Sequence, residues 1–205
     1  MTKPRASKPA KAASPGALFL VTEPDALGAG LRAGRFENPS PDAIRAYEPD
    51  DLGYSKLTPR NSRYLQVERL WPVRATEGSA LARDATWGGW SFQLVELGAP
   101  LALDAPATWQ VLLDAGIRLK PRTKELPSLM HWPAIKGHVD VLRLLLDAGA
   151  HPGRDDLVMS AAAFGMRATA RLLVERGFDG KQAVVTMQRY KNEAALEILR
   201  ELGFT

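Results

Sequence analysis

The chain of 205 residues contains no cysteine and only three histidines, His131, His138 and His151. Without thiols there is no disulfide framework, no thiolate metal centre and no cysteine nucleophile, and a reducing, cytoplasmic location is the expectation. His131 and His138 stand seven apart, at opposite ends of a short helix, so they do not form a metal pair. Also lacking are the HExxH, calcium-loop, phosphate-loop and GxSxG patterns. A non-enzymatic protein is therefore expected, with no catalytic residue, no metal and no cofactor. Nor is there a long apolar run: nothing approaches the roughly 18 residues of a membrane span, and no membrane partner is expected. Ala17 to Val21 is too short for the core of an export signal, and Glu23 and Asp25 follow closely.

What is present is an ordinary globular composition, 45% hydrophobic and 24% charged. The net charge of +4 comes from the start of the chain. Of 27 basic residues, Lys3, Arg5, Lys8 and Lys11 precede the first acid, Glu23, so 23 basic and 23 acidic residues cancel beyond Lys11. Residues 1–15 read as a disordered basic tail, in which Pro4, Pro9 and Pro15 oppose the amphipathic helix of a transit peptide. Global charge is thus a weak argument for a nucleic-acid partner.

Glycine after an apolar run provides a register. "LVELGAP", "VLLDAGI", "LLLDAGA", "LLVERGF" and "ILRELGF" end at Gly98, Gly116, Gly149, Gly177 and Gly203, at intervals of 18, 33, 28 and 26 residues. Each reads as a helix stopped by a residue that tolerates positive φ. In the best-formed unit, Val139, Leu142, Leu145 and Leu146 recur at helical spacing, widened by Val141 and Leu144, and "LPSLMHWPAIKG" supplies a shorter first helix. Pro133 is compatible with that helix only in its first turn.

These residues resemble the ankyrin repeat family, whose signature runs Thr-Pro-Leu-His, Ala-Ala, Gly-His, a leucine-rich helix and Gly-Ala. Ser128 to His131 fall on the tetrad, Ala134 on the second alanine, Gly137-His138 on the turn and Gly149-Ala150 on the stop. In the next unit Ala161-Ala162, Gly165 and Gly177 take the corresponding places. In a last, cap-like unit Lys191 replaces the turn glycine, Leu196, Ile198 and Leu199 face inward, and Glu193, Glu197 and Arg200 face outward. The resemblance covers residues 117–205, and weakly 80–116, where the 18-residue interval leaves one helix missing or altered.

The expected fold is all-α: an ankyrin-like solenoid of about three helix-pair repeats over residues 80–205, with residues 16–79 as an irregular, mostly helical N-terminal cap. Repeat ends need such covering. Tyr64, Leu65, Val67, Leu70, Trp71 and Val73 are apolar enough to pack there, and Trp87, Trp90, Trp109 and Trp132 mark a seam of core. From Gly116 to Ser128 there is room for one projecting finger, near Arg118 to Glu125; only seven residues separate Gly149 from Asp156, and five separate Gly177 from Gln182.

The resemblance implies a protein partner held on the concave face at two positions per unit before the turn: Ile135-Lys136, Ala163-Phe164 and Arg189-Tyr190. Candidate contacts are Lys136, Phe164, Arg189 and Tyr190, with Arg118 and Lys120 beside the finger. His131, Gly137, His138, Gly149, Gly165 and Gly177 are candidate structural positions, the histidines through hydrogen bonds. His151 is expected to be solvated, and the acid pairs Asp50-Asp51 and Asp155-Asp156 to form turns or helix caps. A monomeric binding protein is expected, and an inhibitor of the immunity type from a bacterium or phage is one form it would take. The alternative is a nucleic-acid-associated factor that uses the tail with Arg60, Arg63, Arg69 and Arg74.

Overall fold

The computed structural model describes residues 18–22, 34–37, 45–48, 69–75, 82–83, 90–91, 94–120, 128–152 and 156–205. Two kinds of structure occupy them. The first is an antiparallel sheet of eight strands: β1 (Leu18–Thr22), β2 (Gly34–Glu37), β3 (Arg45–Tyr47), β4 (Arg69–Ala75), β5 (Ala82–Arg83), β6 (Trp90–Ser91), β7 (Leu94–Leu97) and β8 (Leu101–Ala102). Their order is β2-β7-β4-β1-β3-β6-β5, with β8 also on β4.

The sheet overturns the all-α expectation. Residues 16–79, expected to form an irregular helical cap, contain β1 to β4, and strands continue to Ala102, inside the span assigned to repeats. "LVELG" is one cause of the error: it is strand β7 and not a helix, and Gly98 is not a helix stop. Its N–H donates to the Pro72 carbonyl at 2.8 Å, and a Cβ there would lie 3.2 Å from the Pro72 ring. Pro72 is tolerated in a central strand because its N–H would point the same way as its carbonyl. That direction is the break where β7 gives way to β8 along β4, so no ladder bond is lost. Tyr64, Leu65, Val67 and Trp87 lie outside the described residues, whereas Leu70, Trp71 and Val73 are buried.

The second part is helical: α1 (Pro106–Asp114), α2 (His131–Lys136), α3 (Val139–Asp147), α4 (Leu157–Ala163), α5 (Arg167–Glu175), α6 (Lys181–Arg189) and α7 (Glu193–Glu201). Helices α2/α3, α4/α5 and α6/α7 form three pairs, with the first helices α2, α4 and α6 packed in one row and α1, α3 and α5 in another. Helix α1 has no first helix before it; strands stand where that helix would be, which explains the short 18-residue interval.

Local chemistry sets the helix ends. Pro106 opens α1, where its missing N–H is no loss. The Asp156 and Asn192 carboxyl and amide oxygens cap α4 and α7 by accepting from Met159 N–H at 2.8 Å and Ala195 N–H at 3.1 Å. Pro133 is the third residue of α2, inside its first turn, and breaks no helical bond. Gly116, Gly149, Gly177 and Gly203 follow the second helices with φ of 84°, 81°, 87° and 87°.

One core joins both parts. Tyr47 and Leu70 from the sheet share a buried cluster with Leu103, Trp109, Leu112 and the inner faces of the helices, down to Leu196, Ile198 and Leu199. Val141, Leu142 and Leu145 form the buried stripe of α3, while Val139, Leu144 and Leu146 pack at its margin. Buried hydroxyls join neighbouring units: Thr169 Oγ1 donates to the Ala134 carbonyl at 2.9 Å, and Ser128 Oγ donates to the His151 carbonyl at 2.9 Å.

The turns within the pairs need a left-handed residue. Gly137 and Gly165 supply it at φ 78° and 77°, but the third turn places Lys191 at φ 54°, the sole non-glycine with positive φ among the described residues. A β-carbon in that conformation costs roughly 1–2 kcal/mol. Lys191→Gly is expected to stabilise the protein by about 0.5–1 kcal/mol, part of the relief being offset by glycine's greater freedom when unfolded. An upward shift of the urea midpoint at constant slope is the check; a downward shift would contradict it.

Candidate protein-interaction face

The turns superimpose the three pairs by sequence: Gly137, Gly165 and Lys191 are equivalent. Three columns of side chains follow along the first helices, His131, Met159 and Val185; Ile135, Ala163 and Arg189; Lys136, Phe164 and Tyr190. In the C-terminal unit every member of the three columns is exposed. Ile135 is 3% exposed, whereas Ala163 and Arg189 are open; Lys136 is exposed, Phe164 is 54% exposed and Tyr190 71%.

Lys136, Phe164, Arg189 and Tyr190 thus come together as a row at the C-terminal ends of α2, α4 and α6. Lys136 and Arg189 lie in last turns, where a cation suits the negative end of the helix dipole. Ile135 does not join the surface. Val185, 53% exposed and one turn before Arg189 on α6, belongs to the face although sequence reasoning missed it. Its equivalence to Met159 was the signal that could have found it. Phe164, Val185 and Tyr190 are three of the four large hydrophobics exposed among the described residues, the other being Val111. Apolar side chains concentrated this way mark an interaction surface more than singly scattered ones do.

Arg118 and Lys120 are exposed, but they belong elsewhere. They follow α1 in a segment leading toward the N-terminal end of α2, where the Leu119 carbonyl accepts from His151 N–H at 3.1 Å. The row lies at the opposite helix ends. The remainder of the expected finger, residues 121–125, is outside the described residues.

The two repeat histidines stand at either end of α2. His131 is half-buried at the start of α2. His138 precedes α3 and stacks on Trp132, ring centroids 4.7 Å apart and planes 26° from parallel; Trp132 in turn lies 6.3 Å from Trp109. Burial lowers the His138 pKa from its ordinary 6.5, helped by Lys136 and opposed by Asp104. The native state therefore prefers neutral His138. The unfolded chain binds the proton more readily, so this contribution is complete above pH 6.5 and is lost as pH falls through the interval below it. Relative to wild type, His138→Gln is expected to flatten the dependence of the urea midpoint on pH below about 6.5. Equal slopes in the two proteins would contradict the assignment. Asp156 is shifted upward, chiefly by burial, although its bond from Met159 N–H opposes that effect and Asp179 reinforces it; its place is that of a helix cap.

Ion pairs fasten the second helices instead. Arg176 meets Asp147 at 2.7 Å, Arg167 of α5 reaches Glu201 and Glu197 of α7 at 3.2 and 3.6 Å, and Arg200 faces Glu193 at 3.6 Å. Among the described residues, none of these pairs involves Lys136, Arg189 or Lys191, and no group of three or more histidine and acidic side chains has the placement of a metal site. No described helix is long and apolar enough to cross a membrane. No protein-family model, curated protein or solved structure matches the chain.

Two residues of the nucleic-acid alternative, Arg69 and Arg74, fall among the described residues. The tail, Arg60 and Arg63 lie outside the described residues. Arg69 and Arg74 are on β4, and strand register sets Arg74 directly across from Glu96, with Arg35 on the far side of that same glutamate. Opposite charges so placed favour each other over an outside phosphate.

Proposed function

We propose that this protein is a non-catalytic, cytoplasmic binding module that holds a partner protein on the open ends of α2, α4 and α6. The observation that carries this reading is the concentration of Phe164, Val185 and Tyr190 beside Arg189 on one face. Aromatic residues and arginine dominate the energetics of protein interfaces because they combine large contact area with a polar or charged tip. The helix-pair arrangement and its resemblance to ankyrin units lend further support, since such units present their first helices to partners. The test is affinity capture on the full chain in the source cell, followed by titration of the purified partner. The complex is expected to survive moderate salt and to be lost in the Phe164→Ala, Arg189→Ala variant. Undiminished affinity in that variant would place the binding site elsewhere.

A further inference from the structure

Charge is divided unequally between the two rows of helices. Over residues 128–205 ten basic and nine acidic residues nearly cancel. Yet the first helices and their turns, residues 131–138, 157–166 and 181–192, contain Lys136, Lys181, Arg189 and Lys191 and no aspartate or glutamate. The second helices α3, α5 and α7 carry six carboxylates, Asp140, Asp147, Glu175, Glu193, Glu197 and Glu201, against four arginines. Four of those six carboxylates are engaged in the ion pairs described above.

The segregation places cations around exposed apolar side chains. Arg189 and Lys191 bracket Tyr190 in sequence, Val185 lies one turn before Arg189, and Phe164 comes from the adjacent unit. At the other end of the row Asp104 acts on His138 against the lowering of its pKa, so a carboxylate lies near the turn after α2. Glu193, two residues after Lys191 in sequence, faces Arg200 of its own helix.

Resting on the interaction-face reading, we infer that the occupant of this face is an acidic polypeptide segment of a partner protein. Its aspartates or glutamates would meet Arg189, Lys191 and Lys136, and an aromatic or aliphatic anchor would pack among Phe164, Val185 and Tyr190. Like charge on the partner would meet the three cations Lys136, Arg189 and Lys191, which selects against basic segments. The apolar centre favours polypeptide over a phosphate backbone, whose contacts are made mainly by basic and polar groups.

Panning random twelve-residue peptides on the full chain, then measuring the enriched peptides by fluorescence anisotropy, tests this. The expected peptides are rich in aspartate and glutamate around one or two large apolar residues. Their affinity is expected to fall at least tenfold in Arg189→Glu, Lys191→Glu, to fall similarly in Tyr190→Ala, and to stay unchanged in Arg171→Glu on α5. Neutral or basic peptides that are nevertheless lost in Tyr190→Ala would overturn the acidic partner and leave the face standing. Acidic peptides indifferent to Tyr190→Ala and to the charge reversal would overturn the face itself. Failure to enrich any peptide, or tighter binding of oligothymidine than of every peptide with the same sensitivity to Arg189→Glu, would overturn the inference in favour of no such segment or of a nucleic acid.

Discussion

Trp109→Ala is expected to destabilise the protein by about 4 kcal/mol, a large share of the roughly 5–15 kcal/mol that a domain possesses. Trp109 is fully buried in α1, beside Trp132, at the point where the sheet meets the helix pairs. Its truncation removes the largest of the fully buried side chains and leaves a cavity that two rigid layers close poorly. The indole Nε1 also donates to the Leu103 carbonyl at 2.7 Å, so the same change orphans a buried acceptor. Trp109→Phe separates the two contributions: it retains most apolar contact, and a loss of about 1–2 kcal/mol is expected. Urea unfolding followed by far-ultraviolet circular dichroism measures both. A Trp109→Ala cost under about 1 kcal/mol would mean that sheet and helices do not share the core assigned to them.

Phe164→Ala with Tyr190→Ala is expected to leave stability within about 0.5 kcal/mol of wild type, because both side chains are mostly in solvent. Its effect on partner affinity is expected to be large. At about 2 kcal/mol for each interface anchor, the pair costs about 4 kcal/mol, or roughly a thousandfold in Kd. Coupling between neighbouring anchors can shift that sum, so the single variants belong in the same titration. Isothermal titration with the partner gives the affinities, and thermal unfolding of the free variant gives the stability. Weakened binding accompanied by equal destabilisation would point to a packing role and not to contact.

The helical half was legible in the sequence for physical reasons that operate over a few residues. Glycine stops after Asp114, Asp147, Glu175 and Glu201 answer a local demand for positive φ, and the apolar spacing of α3, α5 and α7 answers a local demand to bury one side. Lys191 shows the same demand persisting where glycine is absent. The sheet was illegible because its pairing is distant. Leu18 sits across from Val73, and Gly34 from Leu97, while β5, β6 and β8 are two residues each. A four-residue apolar run such as Leu94–Leu97, followed by glycine, satisfies a helix ending and a strand ending equally. The exposed row was legible through repeat equivalence, which located Lys136, Phe164, Arg189 and Tyr190. That equivalence does not report burial, so Ile135 was placed on the surface and Val185 was overlooked.

The face itself is tested most directly by in-cell photo-crosslinking from single sites, which works whatever the partner is. A photoreactive phenylalanine analogue in place of Tyr190, on the exposed turn after α6, is compared with the same analogue in place of Arg171, exposed on α5. A partner held on the ends of α2, α4 and α6 gives a discrete protein adduct from position 190 and none from position 171. Adducts from position 171 alone, or from neither position, would contradict such a face.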